Sequence, residues 1–166
     1  MSLESTSVRI WKRLSPGDKL AAANALWAQP PHELQGAALG VIVKARHLRP
    51  QAARALKPEE QARILASILD PGEAVSSALL VALHMADRRP LLVAFLDAVG
   101  LPHDEGVLKE EADALPPLAE AKAREGVLAL KSSFPLDQVQ TYMNVLWLQD
   151  PERWQVLEKS PDWLAS

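Results

Sequence analysis

A chain of 166 residues, 48% hydrophobic and 23% charged, has the size and composition of an ordinary globular protein, which excludes a disulfide-dependent miniature fold and a disordered polymer. The absence of cysteine (Cys 0) excludes disulfides, thiolate zinc sites, iron–sulfur clusters and cysteine nucleophiles. The formal net charge of -3 is unevenly spread: residues 1–60 hold nine Lys/Arg against five Asp/Glu, whereas residues 101–166 hold six against twelve.

Along the chain, apolar residues recur at helical spacing rather than in alternation. Leu20, Ala23 and Trp27 come first, then Leu34, Ala38 and Val41, then Ile64, Leu65, Ile68 and Leu69. Leu79, Leu80 and Leu83 continue the pattern. So do Leu91, Leu92, Phe95, Leu96 and Val99, and finally Val139, Met143, Leu146 and Trp147. No strand or hairpin signal stands out, and the expected class is all-α. No stretch reaches the roughly 18 uninterrupted apolar residues of a membrane helix. The N-terminal Met1-Ser2-Leu3-Glu4-Ser5-Thr6-Ser7 also lacks the basic-then-apolar pattern of a leader, so a cytoplasmic location and no membrane contact are expected.

Prolines punctuate these helices, because proline suits a first helical turn and is expelled from the interior. Ser15-Pro16-Gly17-Asp18 and Asp70-Pro71-Gly72-Glu73 each offer a capping oxygen, proline at the first position and a carboxylate that favours the helix dipole. Asp150-Pro151-Glu152 is expected to open a further helix, and Gly100 to stop the one that ends at Val99. Pro16, Pro31 and Pro50 are answered by Pro58, Pro71 and Pro90 and then by Pro102, Pro116 and Pro135, at a spacing of about 40 to 45 residues typical of helical solenoids.

One domain over 1–166 is therefore expected, with repeat units at about 14–55, 56–100 and 101–149 and a C-terminal cap at 150–166. Such units resemble the HEAT and armadillo architectures in spacing, and imply a right-handed stack of antiparallel helices. A globular helical bundle is the alternative, since Asn24 to Pro31 also matches Asn144 to Pro151 and pairs a first helix with a third.

Motifs of chemistry are sparse. His32, His47, His84 and His103 show no metal-ligand spacing, and no phosphate-cradling glycine loop or nucleophile elbow is present. No cofactor and no metal are expected. His84 and Asp87, three residues apart on one helix, are the candidate pair for a small-molecule or metal-dependent enzyme. His103-Asp104-Glu105-Gly106 reads as a helix start. The basic run Lys44, Arg46, His47, Arg49, Arg54 and Lys57, with Arg88 and Arg89 at an aligned place in the second unit, is the candidate binding edge for phosphates or an acidic partner, Lys44, Arg46, Arg49, Arg54, Arg88 and Arg89 being its candidate binding residues. Trp154, Leu157, Trp163 and Leu164 form an apolar stripe, expected to close the last repeat and, as the alternative, to dock on another protein. The leading expectation is a non-enzymatic protein-interaction or scaffold module that binds another protein or peptide. Nucleic acid is the alternative partner, catalysis is the less favoured class, and oligomeric state is left open.

Overall fold

The structure is a computed structural model that describes residues 5–165, with Ala165 described in its backbone alone. Met1 to Leu3, part of the N-terminal stretch read above, lie outside the described residues. The chain is all-α apart from one small hairpin, and it divides into two compact units between Asp87 and Arg88, within the stretch expected to form the 56–100 repeat. No helix among the described residues is long and apolar enough to cross a membrane.

Unit 1 contains α1 (Thr6–Arg13), α2 (Pro16–Ala28), α3 (Glu33–Arg46), α4 (Pro50–Ala55), α5 (Pro58–Ser67) and α6 (Glu73–Asp87). Local chemistry sets most of the starts. Ser5 caps α1 by accepting from the Val8 amide, and Ser15 caps α2 by accepting from the Asp18 amide, so the two helices are separated only by Leu14 and Ser15. Pro16, Pro50 and Pro58 each stand at the first position of a helix, as their locked φ allows. α3 ends on His47 in the left-handed region at φ 54, where the His47 and Leu48 amides both donate to the Val43 carbonyl.

α6 is the central element. It buries Val75, Leu79, Leu80, Ala82 and Leu83 and packs against α1, α2 and α3. α2 meets α5 and α6 through Ala22, Ala23 and Leu26, small or slender side chains that permit close approach. This turns α2 relative to the expected face: Leu20 points outward at 39% exposure, while Ala23 stays inside. Trp11 is fully buried, and its indole Nε1 donates to the Ile68 carbonyl at 3.0 Å, tying α1 to the end of α5.

Unit 2 contains α7 (Arg89–Val99), a hairpin of β1 (His103–Asp104) and β2 (Val107–Leu108), a short 3₁₀ turn (Glu110–Ala114), α8 (Glu120–Ser133), α9 (Leu136–Gln149), a second 3₁₀ turn (Gln155–Lys159) and α10 (Ser160–Ala165). The five periodic residues of α7 are all buried, and Gly100 at φ 72 ends the helix as expected. Phe95 lies at the centre, edge-on to Tyr142 at 5.7 Å and tilted against Trp154 at 5.8 Å.

Three expected helix starts differ. α6 begins at Glu73 rather than at Pro71, because Gly72 adopts φ 88 and the Asp70 carboxylate accepts from the Gly72 amide in a turn ahead of the helix. Asp150-Pro151-Glu152 enters a turn and then 3₁₀ geometry. The residues after Pro102 form the hairpin instead of a helix, with His103 facing Leu108 and Asp104 facing Val107. Glu105 and Gly106 both have positive φ, the geometry of a two-residue primed turn. The turn is held by the Gly106 amide donating to His103 Nδ1, which leaves Nε2 to carry the hydrogen and donate to Asp97 at 2.6 Å.

Candidate functional site

The basic residues at the end of α3 owe their placement to the helix itself. Lys44 and Arg46 occupy its last turn, where cations favour the carbonyl end of the dipole, and the left-handed His47 then turns the chain into Arg49 and α4. Lys44, Arg46, Arg49 and Arg54 are all exposed. Lys57, which caps the start of α5 by position, and Arg63, one turn before Ser67, are exposed as well. Between Glu33 and Glu59 the chain carries no Asp or Glu. Among the described residues, Lys44, Arg49, Arg54, Lys57 and Arg63 lie in no ion pair. Arg46 is oriented by Ser67: its Nη2 donates to Ser67 Oγ at 3.3 Å, while that hydroxyl donates to the Ile64 carbonyl at 2.6 Å. α3 and α5 are thereby joined at one end, and both helices contribute cations to it.

Leu69 was expected in the core with Ile64, Leu65 and Ile68. It is 65% exposed, the most exposed large apolar residue among those described in unit 1. α5 ends at Ser67 with Ile68 as its cap, so Leu69 lies beyond the helical period that buries Leu65. The signal for this was the Asp70-Pro71-Gly72 turn that follows immediately. Arg63 and Leu69 are thus the two members of this surface that periodicity alone did not reveal.

Arg88 and Arg89 do not extend the edge. Arg88 is only 6% exposed, so its guanidinium is held inside the protein. Arg89 is committed to the hairpin of unit 2, pairing with the Glu105 carboxylate at 3.7 Å and donating to the Glu105 carbonyl at 3.1 Å. Trp154, Leu157, Trp163 and Leu164 are all buried, with α10 resting on α8 and α9. Their apolar surface closes unit 2 and is not presented for docking.

The structure does not bring His84 and Asp87 together as a site. His84 is 2% exposed and its Nδ1–H donates to the Leu80 carbonyl one turn back at 2.7 Å, whereas Asp87 is exposed at the helix end. No cluster of three metal-ligating side chains occurs among the described residues. A cleft of about 360 Å³ in unit 2 is lined by Pro117, Leu118, Arg153, Val156, Glu158 and Lys159. Its cations are already engaged. Arg153 pairs with Asp113 and Asp150 and donates to the Ala112 carbonyl, and Lys159 pairs with Glu120 at 3.5 Å. Arg153 acts there as a staple between the first 3₁₀ turn and the C-terminal turn.

Burial shifts the Tyr142 hydroxyl clearly upward from the ordinary tyrosine range. Its hydroxyl stays protonated in the fold at pH values where the unfolded chain would ionise it. Above about pH 10 the unfolded state therefore binds fewer protons than the native state, and stability falls as pH rises, with a slope approaching about 1.4 kcal/mol per pH unit. Urea unfolding stepped through this range should show the decline in the wild type. It should show that component missing in Tyr142→Phe, and parallel curves for the two proteins would sink the assignment.

No family model, curated protein or solved structure matches the chain.

Proposed function

We propose that the chain is a non-enzymatic protein-interaction or scaffold module that presents the cationic edge of α3, α4 and α5 to an acidic partner. The observation that carries this is the set of exposed cations at Lys44, Arg49, Arg54, Lys57 and Arg63, none in an ion pair among the described residues. The acid-free run from Leu34 to Pro58 leaves a local positive field bounded by Glu33 on one side and by Glu59 and Glu60 on the other. The helix starts at 16, 33 and 50 and again at 58, 73 and 89 keep a recurring spacing along the chain, which supports a relation to HEAT-like repeats in sequence.

The test is retention of partner proteins by the immobilised chain at low and at high salt, beside an Arg49→Glu, Arg54→Glu, Lys57→Glu variant. All three positions are exposed, so the variant should keep its melting temperature. Wild type is expected to retain a defined set of proteins, identified by mass spectrometry, that high salt releases and the variant fails to hold. Retention indifferent to the reversed charges would overturn the reading.

A further inference from the structure

Resting on the reading above, we infer that the cationic edge takes an acidic protein segment carrying leucine-like side chains among its carboxylates, and that Leu69 is the apolar contact. Three observations point there. The Arg46–Ser67 hydrogen bond fixes a guanidinium two residues along the chain from a leucine that is 65% exposed. Positive charge and an apolar side chain therefore share one end of α5, with Arg63 one turn behind Ser67 on its exposed side. A partner that satisfies both must offer carboxylates and hydrocarbon close together.

The same surface fits a nucleic acid poorly. A duplex presents one phosphate per about 1.7 Å of axis, and that continuous charge would have to pass the exposed carboxylates Glu59 and Glu60 on one side and Asp70 on the other. A short acidic segment need not run the length of α5 past Glu59 and Glu60. From Lys44 to Asp70 the chain has no Phe, Tyr or Trp on which a base could stack. Ten Lys/Arg against eight Asp/Glu give the sequence up to Asp87 a net +2, whereas eight against thirteen give the remainder -5. A long polyanion gains little from such a molecule, while a short segment senses only the local field.

The experiment is a fluorescence-anisotropy titration of the full chain with three labelled probes: a peptide of repeating Glu-Glu-Leu, the matching Glu-Glu-Ser peptide, and a short DNA duplex. The leucine peptide should bind at low salt and weaken as salt rises. Changing the probe to Glu-Glu-Ser, or the protein to Leu69→Ser, should each weaken binding about fivefold, the scale of burying part of a leucine. Arg49→Glu with Arg54→Glu should weaken it by about tenfold or more. Equal binding of the two peptides, an unchanged Kd for Leu69→Ser, or tighter binding of the duplex would each overturn the inference. Peptides that fail while captured proteins still depend on the reversed charges would overturn it and leave the interaction-module reading standing. Failure of both assays removes both.

Discussion

Replacing Trp11 by Ala is expected to destabilise the protein by about 3–5 kcal/mol, lowering its melting temperature by about 10 °C. The indole is fully buried, so truncation removes its packing and leaves a cavity that the neighbouring helices fill only in part. It also removes the 3.0 Å donation to the carbonyl of Ile68, the residue whose amide closes the last turn of α5 on the Leu65 carbonyl. α1 is only eight residues long, too short to hold helical structure alone. A further side-chain tie of α1 to the rest of unit 1 is Ser7 Oγ donating to the Glu73 carbonyl at 3.2 Å. The loss should therefore be concentrated in α1, whose amides would exchange much faster with solvent. Trp11→Phe keeps most of the apolar area and should cost about 1–2 kcal/mol, the scale of the lost hydrogen bond and the smaller ring. Thermal denaturation and hydrogen exchange check both variants. A Trp11→Ala protein within about 1 kcal/mol of wild type would mean that α1 is not held in this way.

What could be read in advance depended on whether the information was local. α7 was legible because Leu91, Leu92, Phe95, Leu96 and Val99 repeat with helical period and Gly100 supplies its stop, and every one of those apolar residues is buried. α2 was harder. In an Ala/Leu-rich helix many faces are apolar, and only packing against α5 and α6 selects Ala22, Ala23 and Leu26 over Leu20. The hairpin at His103–Leu108 carries no strand signal in the sequence because each strand is two residues long and shows no alternation. Its cause is the pair of positive φ angles at Glu105 and Gly106 and the His103–Asp97 contact, neither of which pattern reading detects.

Charge was legible in position but not in use. Lys44, Arg46, Arg49 and Arg54 could be picked out as a run and are exposed, because cations gather naturally near a helix end and its connection. Arg88 and Arg89 looked equivalent, yet one is buried and the other is committed to Glu105. The fate of Arg89 is set by a residue distant in sequence. The polarity of the chain survives this correction, since the surplus of cations belongs to unit 1 and the surplus of carboxylates to unit 2.

Gly126→Ala is the second substitution with a large expected effect, and its sign runs against helix propensity. Gly126 lies inside α8, where alanine would ordinarily gain about 1 kcal/mol. Here an added Cβ would stand 2.5 Å from Val99 Cγ1 and 3.1 Å from Phe95 Cε2, well inside the contact distance of about 3.5–4.0 Å between carbons. Neither neighbour can give way easily. Val99 is buried and branched at Cβ, and the Phe95 ring is wedged between Tyr142 and Trp154. Overpacking of about 3 kcal/mol should therefore exceed the propensity gain and leave a net loss of about 2 kcal/mol. The cause is separable from a general intolerance of α8, because Val99→Ala removes the atom that collides. The double variant Gly126→Ala, Val99→Ala should be more stable than the sum of the two single changes by about 1–2 kcal/mol, measured by urea unfolding in a double-mutant cycle. Additive effects would place the strain elsewhere, and a stabilised Gly126→Ala would mean that α7 and α8 lie farther apart than the 2.5 Å approach implies.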